Sequence, residues 1–207
     1  MQHVESFNRQ NSYCAVVDVI EVRPGLESSI EECVAAISAN ANTYFEIPLE
    51  APLDLLRAIH RNGGRAKVRT GGLVPQAIPD VVSLAAFIQN CATTGIAFKA
   101  TAGLHHPIRS LRPLTYAPDA PSGEMHGFLN LLIASALAID GASVEILCEV
   151  LADGEASSFR FTDSEARWRT KSVSMSKLRE TRERLAVSFG SCSFEEPLEG
   201  ISILGWL

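Results

Sequence analysis

Arg65-Ala66-Lys67-Val68-Arg69-Thr70-Gly71-Gly72 reads as a short strand running into a glycine turn, and an amphipathic helix flanks it on either side. On the N-terminal side Pro52 suits a first helical turn, Leu53, Leu56 and Ile59 form one apolar stripe, and Gly63-Gly64 stops the helix. On the C-terminal side Asp80 is placed to cap Val81–Thr94, whose stripe of Val81, Leu84, Ala85 and Ile88 ends at Gly95 before another strand, Ile96–Thr101. The same order recurs upstream. A strand at Ala15–Val22 precedes a helix carrying Ile30, Cys33, Val34 and Ile37, capped by Ser28 or Ser29, and a strand at Thr43–Pro48 follows. Repeated strand-helix units of this kind predict an α/β fold with a parallel sheet.

Four such units are too few to close an eight-stranded barrel. Polar residues inside the strands, and the absence of GxGxxG or GxxxxGK[ST] turns, favour a partial, TIM-like (β/α)-barrel over an open doubly wound sheet. The 207 residues, 46% hydrophobic and 20% charged, suit one domain. Its polar N-terminal segment is 1–14. Pro107, Pro113, Pro118 and Pro121 mark 107–124 as an irregular loop, either a lid or a surface excursion. Phe128–Ile139 is apolar all round, which predicts a central helix or a homo-oligomer interface. Val144–Leu151 follows as a helix behind Ser143, Phe159–Thr170 reads as a hairpin, and Ser174 caps a charged helix through Ala186. Val187–Phe194 is expected as a last strand before a short apolar tail.

A net charge of -6 and a pI near 5.4 give no general attraction to nucleic acid or anionic membrane. Five widely spaced cysteines without a CxxC pair fit reduced thiols in a cytoplasmic protein. The N-terminus has no apolar leader, and Phe128–Ile139 is too short to span a bilayer.

Each of the four strands carries charge near its C-terminal end: Glu21, Glu46, Lys67 with Arg69, and Lys99. Strand ends of a parallel sheet share one edge, where such folds bind ligands. Buried charges must pair, reach solvent or bind something, so the alternatives are an ion-pair ladder and a site. In the second case Arg69 with the Thr70-Gly71-Gly72 loop suits a small anion such as phosphate or carboxylate. Phe98–Pro107 is the densest segment. There Lys99 can act as an amine beside Lys67 and Glu46, His105 and His106 can move protons, and Thr101 can orient a substrate. Ser191, in Gly190-Ser191-Cys192-Ser193, adds a small polar group at another strand end, whereas Cys192 reads as a core residue with no acid-base partner adjacent in sequence.

Three functional readings follow: a lyase or aldolase-like enzyme using Lys99 on an anionic substrate, a metal-assisted hydrolase or isomerase using His105, His106, His126 and Glu46, and a non-catalytic binding or assembly module. No cofactor motif is present, so none is expected. The phrases AKVRTGG, FKATAGLHHPIR, MHGFLN and FGSCSFEEP resemble a group of uncharacterised bacterial proteins that are longer at the N-terminus, which implies a partial barrel but no activity. More loosely, FKATAG is similar to the Schiff-base segment of class I aldolases of the deoxyribose-phosphate type. That resemblance implies an imine role for Lys99, with Lys67 or Arg69 lowering its pKa.

Overall fold

The computed structural model describes residues 2–23, 29–35, 37 and 41–207. After a short helix, α1 (Gln2–Asn11), the chain builds β1 (Val19–Val22), α2 (Ile30–Ala35), β2 (Asn42–Glu46), α3 (Leu53–Arg61), β3 (Arg65–Arg69), α4 (Val81–Thr94) and β4 (Phe98–Thr101). These four strands and β10 (Ala186–Phe189) form one parallel sheet in the order β1-β2-β3-β4-β10. The expected α/β architecture with a parallel sheet is therefore present. Strand order follows chain order without the reversal that a doubly wound sheet contains. Among the described residues β1 and β10 are the two free edges, so the sheet is not closed into a barrel.

Local chemistry explains the element ends. Ser29 and Glu32 exchange bonds as a capping box, the Glu32 amide donating to Ser29 Oγ and the Ser29 amide to Glu32 Oε2, both at 3.0 Å. Ser28, the other candidate cap, lies outside the described residues. Asp80 accepts from the amides of Val82 at 2.9 Å and Ser83 at 2.8 Å, and Gly95 ends α4 with φ 72°. The first strand starts at Val19, later than expected, because the Asn8 side chain of α1 occupies both the N–H and the C=O of Val17 at 2.8 Å.

One face of the sheet presents Phe45, Ala66, Val68, Phe98 and Ala100, all fully buried beneath the helices. Phe87 of α4 meets Phe98 edge-on at 5.3 Å between ring centroids. Helix α5 (Phe128–Ile139) runs through this layer, and its Phe128 stacks on Phe189 of β10 at 4.8 Å. Helices α4, α6 (Val144–Ala152) and α7 (Met175–Arg184) pack around α5, so its apolar surface is used inside the chain and little of it remains for a subunit interface. No helix among the described residues is long and apolar enough to cross a membrane.

Three expectations are corrected. Residues 107–124 are not wholly irregular: β5 (Ser110–Pro113) and β6 (Ser122–Met125) form an antiparallel hairpin. Pro113 falls at the end of its strand, where a missing N–H disturbs the ladder least. The charged helix stops at Arg184, because the Leu185 carbonyl accepts from the Phe98 amide at 2.7 Å and draws the chain into the sheet as β10. The last strand ends at Phe189, and the apolar tail contains a helix, α8 (Glu195–Ile203). The expected hairpin does form, from β7 (Phe159–Phe161) and β8 (Glu165–Trp168), and β9 (Lys171–Ser174) extends it to three strands.

His126 is a structural group with a measurable consequence. It is fully buried, its Nδ1 faces the Arg109 guanidinium at 3.4 Å, and its Nε2 therefore carries the proton shared with the Pro79 carbonyl at 2.8 Å. Burial pushes its pKa down from 6.5 to about 4. The unfolded chain takes up this proton near pH 6.5 and the folded chain only near 4, so within that window the unfolded state binds more protons and stability falls as the pH is lowered. The expected contribution is a loss of about 3 kcal/mol across the window. Urea titrations along a pH series should show a flatter profile there for His126→Gln, which keeps a donor for Pro79. Equal profiles for the two proteins would remove His126 as the cause.

Candidate functional site

The opposite face of the sheet is polar, and it gathers the first group of candidate residues by register. Glu21 lies beside Tyr44, Tyr44 beside Arg65, Glu46 beside Lys67, and Lys67 beside Lys99. Lys67 Nζ sits 2.5 Å from Glu21 and 2.8 Å from Glu46. Lys99 pairs with the other oxygen of Glu21 and lies 4.5 Å from the Tyr44 ring centroid. Burial pushes the Lys67 pKa down, but hydrogen bonds to Glu21 and Glu46 outweigh it and hold the ammonium above the ordinary lysine value. The same bonds hold both carboxyls below their ordinary range. Glu21 thus lies between the two ammonium groups, and Lys99 faces a carboxylate rather than a bare cation.

The second group stands at the C-terminal edge of β3, β4 and β10. Backbone geometry prepares it: Ala102 has φ 67° and Gly103 φ 78°, turning the chain sharply after β4. Gly71 lies so near that a Cβ there would come within 3.1 Å of Gly103 Cα. Thr70 is buried and donates to the Ala102 carbonyl at 2.7 Å, while Thr101 donates to the Val68 carbonyl at 3.2 Å. Both hydroxyls therefore fasten the loops on which the site stands. Leu104, fully buried, anchors the turn and sets His105 at the rim.

Opposite His105, the chain leaves β10 through Gly190, whose amide donates to the Ala100 carbonyl at 2.8 Å. Cys192 is exposed, and its Sγ lies 3.6 Å from His105 Nε2. On the other side of the ring, His105 Nδ1 is 2.5 Å from Glu196 Oε2 and 3.1 Å from Ser191 Oγ. Tyr116 donates to Glu196 Oε1 at 3.1 Å, and Ser193 Oγ caps the first turn of α8 by accepting from the Glu196 amide at 3.1 Å. Burial pushes the Glu196 pKa up, but hydrogen bonds from His105 and Tyr116 outweigh it and keep the carboxyl below its ordinary value. Nδ1–H donating to this carboxylate leaves Nε2 as an acceptor aimed at the thiol. Cys192 is therefore not the partnerless core residue that its sequence neighbours imply.

Two clefts meet at Cys192 and His105. One, of about 420 Å³, is lined by Arg69, Gly72 and Ser191; the other, of about 370 Å³, by His106, Arg112, Tyr116 and Glu196. Leu114 and Met125 of the β5–β6 hairpin region wall both. Burial, then Arg112 and His105, pushes the His106 pKa below its ordinary value. The metal-ligand set is not assembled: among the described residues no group of three or more His, Cys, Asp or Glu side chains is placed to hold an ion. His126 is turned inward to Pro79, and Glu46 is paired with Lys67.

Sequence reading reached His105, His106, Arg69, Gly72 and Ser191 in this cleft and missed Cys192, Glu196 and Tyr116. The signal for Glu196 was Ser193-Phe194-Glu195-Glu196, a helix-start pattern that fixes where it stands. No family model matches the chain, and no curated protein or solved structure is significantly similar to it.

Proposed function

We propose that the protein is a thiol-dependent hydrolase or acyl transferase working at the C-terminal edge of its parallel sheet. The observation that carries this reading is the line Cys192–His105–Glu196, with the thiol 3.6 Å from one ring nitrogen and the carboxylate 2.5 Å from the other. That is the order of roles a nucleophile, base and orienting acid require. His105 Nε2 takes the Cys192 proton, Sγ attacks the substrate carbonyl carbon, and the bond to the leaving group breaks as His105 returns the proton to it. Water, deprotonated in turn by His105, then cleaves the thioester and restores the thiol. The Cys192 amide makes no hydrogen bond among the described residues and is available to the developing oxyanion. The unreversed strand order supports part of a (β/α)-barrel as the scaffold, with its site on the customary edge.

Cys14 provides an internal standard, being exposed with only a carbonyl contact at 3.6 Å. With iodoacetamide near neutral pH, Cys192 is expected to alkylate about ten-fold faster than Cys14, and His105→Asn should bring it down to the Cys14 rate. Equal rates in the wild type would sink the reading. The second reading, a lyase using Lys99, is favoured by the seat of that amine over Tyr44 on the polar face. Borohydride trapping that adds aldehyde mass to Lys99 would move the assignment there.

A further inference from the structure

We infer that the substrate is anionic, carrying a carboxylate or phosphate that Arg69 holds on one side of Cys192; this rests on the thiol reading above. Arg69 ends β3 beside Thr101 and lines the cleft that contains both Cys192 and His105. Lys67, two residues earlier on the same strand face, is matched by two carboxylates. Arg69, by contrast, makes no ion pair or side-chain hydrogen bond among the described residues, in a chain of net charge -6.

An unpaired surface guanidinium is ordinarily just solvated, so its surroundings decide the matter. No Asp or Glu lines this cleft, whereas the adjoining one contains Glu196. The adjoining cleft sets its own guanidinium, Arg112, beside that carboxylate, so the balance of charge favours an anion on the Arg69 side and the leaving group on the Tyr116 side. The lining also leaves room beside the guanidinium, since Gly72, Gly103 and Gly190 contribute no side chain. Gly72 cannot be enlarged without a clash, because a Cβ there would lie 2.6 Å from Ala77 Cβ. Guanidinium binds both carboxylate and phosphate through paired N–H donors, so the shared chemistry is a planar or tetrahedral oxyanion in the cleft that the thiol lines.

Iodoacetate and iodoacetamide alkylate by the same displacement and differ in charge, so their rate ratio at Cys192, referred to that at Cys14, reads the anion site. The expected ratio is about ten-fold above the Cys14 ratio, and Arg69→Gln should remove most of it while moving the iodoacetamide rate far less. Arg112→Gln removes the same charge from the other cleft and should leave most of the preference in place. Competition with inorganic phosphate and with succinate assigns the anion, protection by one more than the other naming phosphate or carboxylate. A Cys192 that is fast with both reagents but shows only the Cys14 ratio overturns the anion site and leaves the thiol reading standing. So does a preference that survives Arg69→Gln or falls equally in Arg112→Gln. A Cys192 no faster than Cys14 with either reagent overturns the thiol reading and the anion site with it.

Discussion

Replacing Cys192 by alanine is expected to lower turnover of activated esters or thioesters by a factor on the order of 10⁴ or more, because the proposed covalent intermediate forms on its sulfur. Glu196→Gln should cost on the order of 10²–10⁴ in kcat with a smaller change in KM. The glutamine amide can present its own N–H groups to His105 Nδ1, which favours the tautomer whose Nε2 holds a proton and cannot take one from the thiol. Two further variants separate orientation from chemistry: Tyr116→Phe removes only one donor to Glu196 and should cost far less, and His105→Asn should cost nearly as much as Cys192→Ala. Steady-state kinetics with p-nitrophenyl esters would check the series. Wild-type turnover that persists in Cys192→Ala would remove the nucleophile from the proposal.

Asn130→Ala is expected to be the most damaging single change to stability, at about 4 kcal/mol, built from roughly 1–3 kcal/mol for each buried polar group left without a partner. The side chain is fully buried and donates to the carbonyls of Val150 at 2.6 Å and Asp153 at 2.7 Å while accepting from the Arg109 amide at 3.0 Å. It thus ties α5 to the end of α6 and to the segment leading from His106 into β5. The corner is closed to relief by movement, since even a methyl at Gly127 would lie 2.2 Å from Asn130 Oδ1 and 2.4 Å from Ile108 Cα. Asn130→Asp keeps the acceptor but loses both donors and brings in a charge, so it should lose at least as much. Urea unfolding of the three proteins decides this, and a loss below about 1 kcal/mol for Asn130→Ala would mean that solvent reaches the corner.

The parallel sheet was legible because α3 and α4, which join β2 to β3 and β3 to β4, have their apolar stripes and glycine stops within a few residues of the strands. Glu21, Glu46, Lys67 and Lys99 announced themselves as charges inside apolar runs, and their pairing is what register alone produces once the strands align. The thiol site was not legible. Cys192 and His105 stand 87 residues apart in sequence and meet because β10 joins the sheet beside β4. Between them lie a hairpin, a three-stranded sheet and three α-helices, and no local pattern says which strand the returning chain will choose. The β5–β6 hairpin was hidden for a simpler reason: its prolines read as loop, although one of them sits at a strand end where the ladder asks nothing of it.

The pairing of β10 with β4 also orders events during synthesis. A nascent chain that has emerged just past β4, through His105, already contains its imidazole, yet Cys192 and Glu196 are still unmade. They arrive together, Cys192 just before α8 and Glu196 in its first turn. Incomplete chains therefore contain His105 without the proposed nucleophile and orienting acid, and a protein truncated after α7 is expected to show none of the proposed thiol chemistry even if its core has formed.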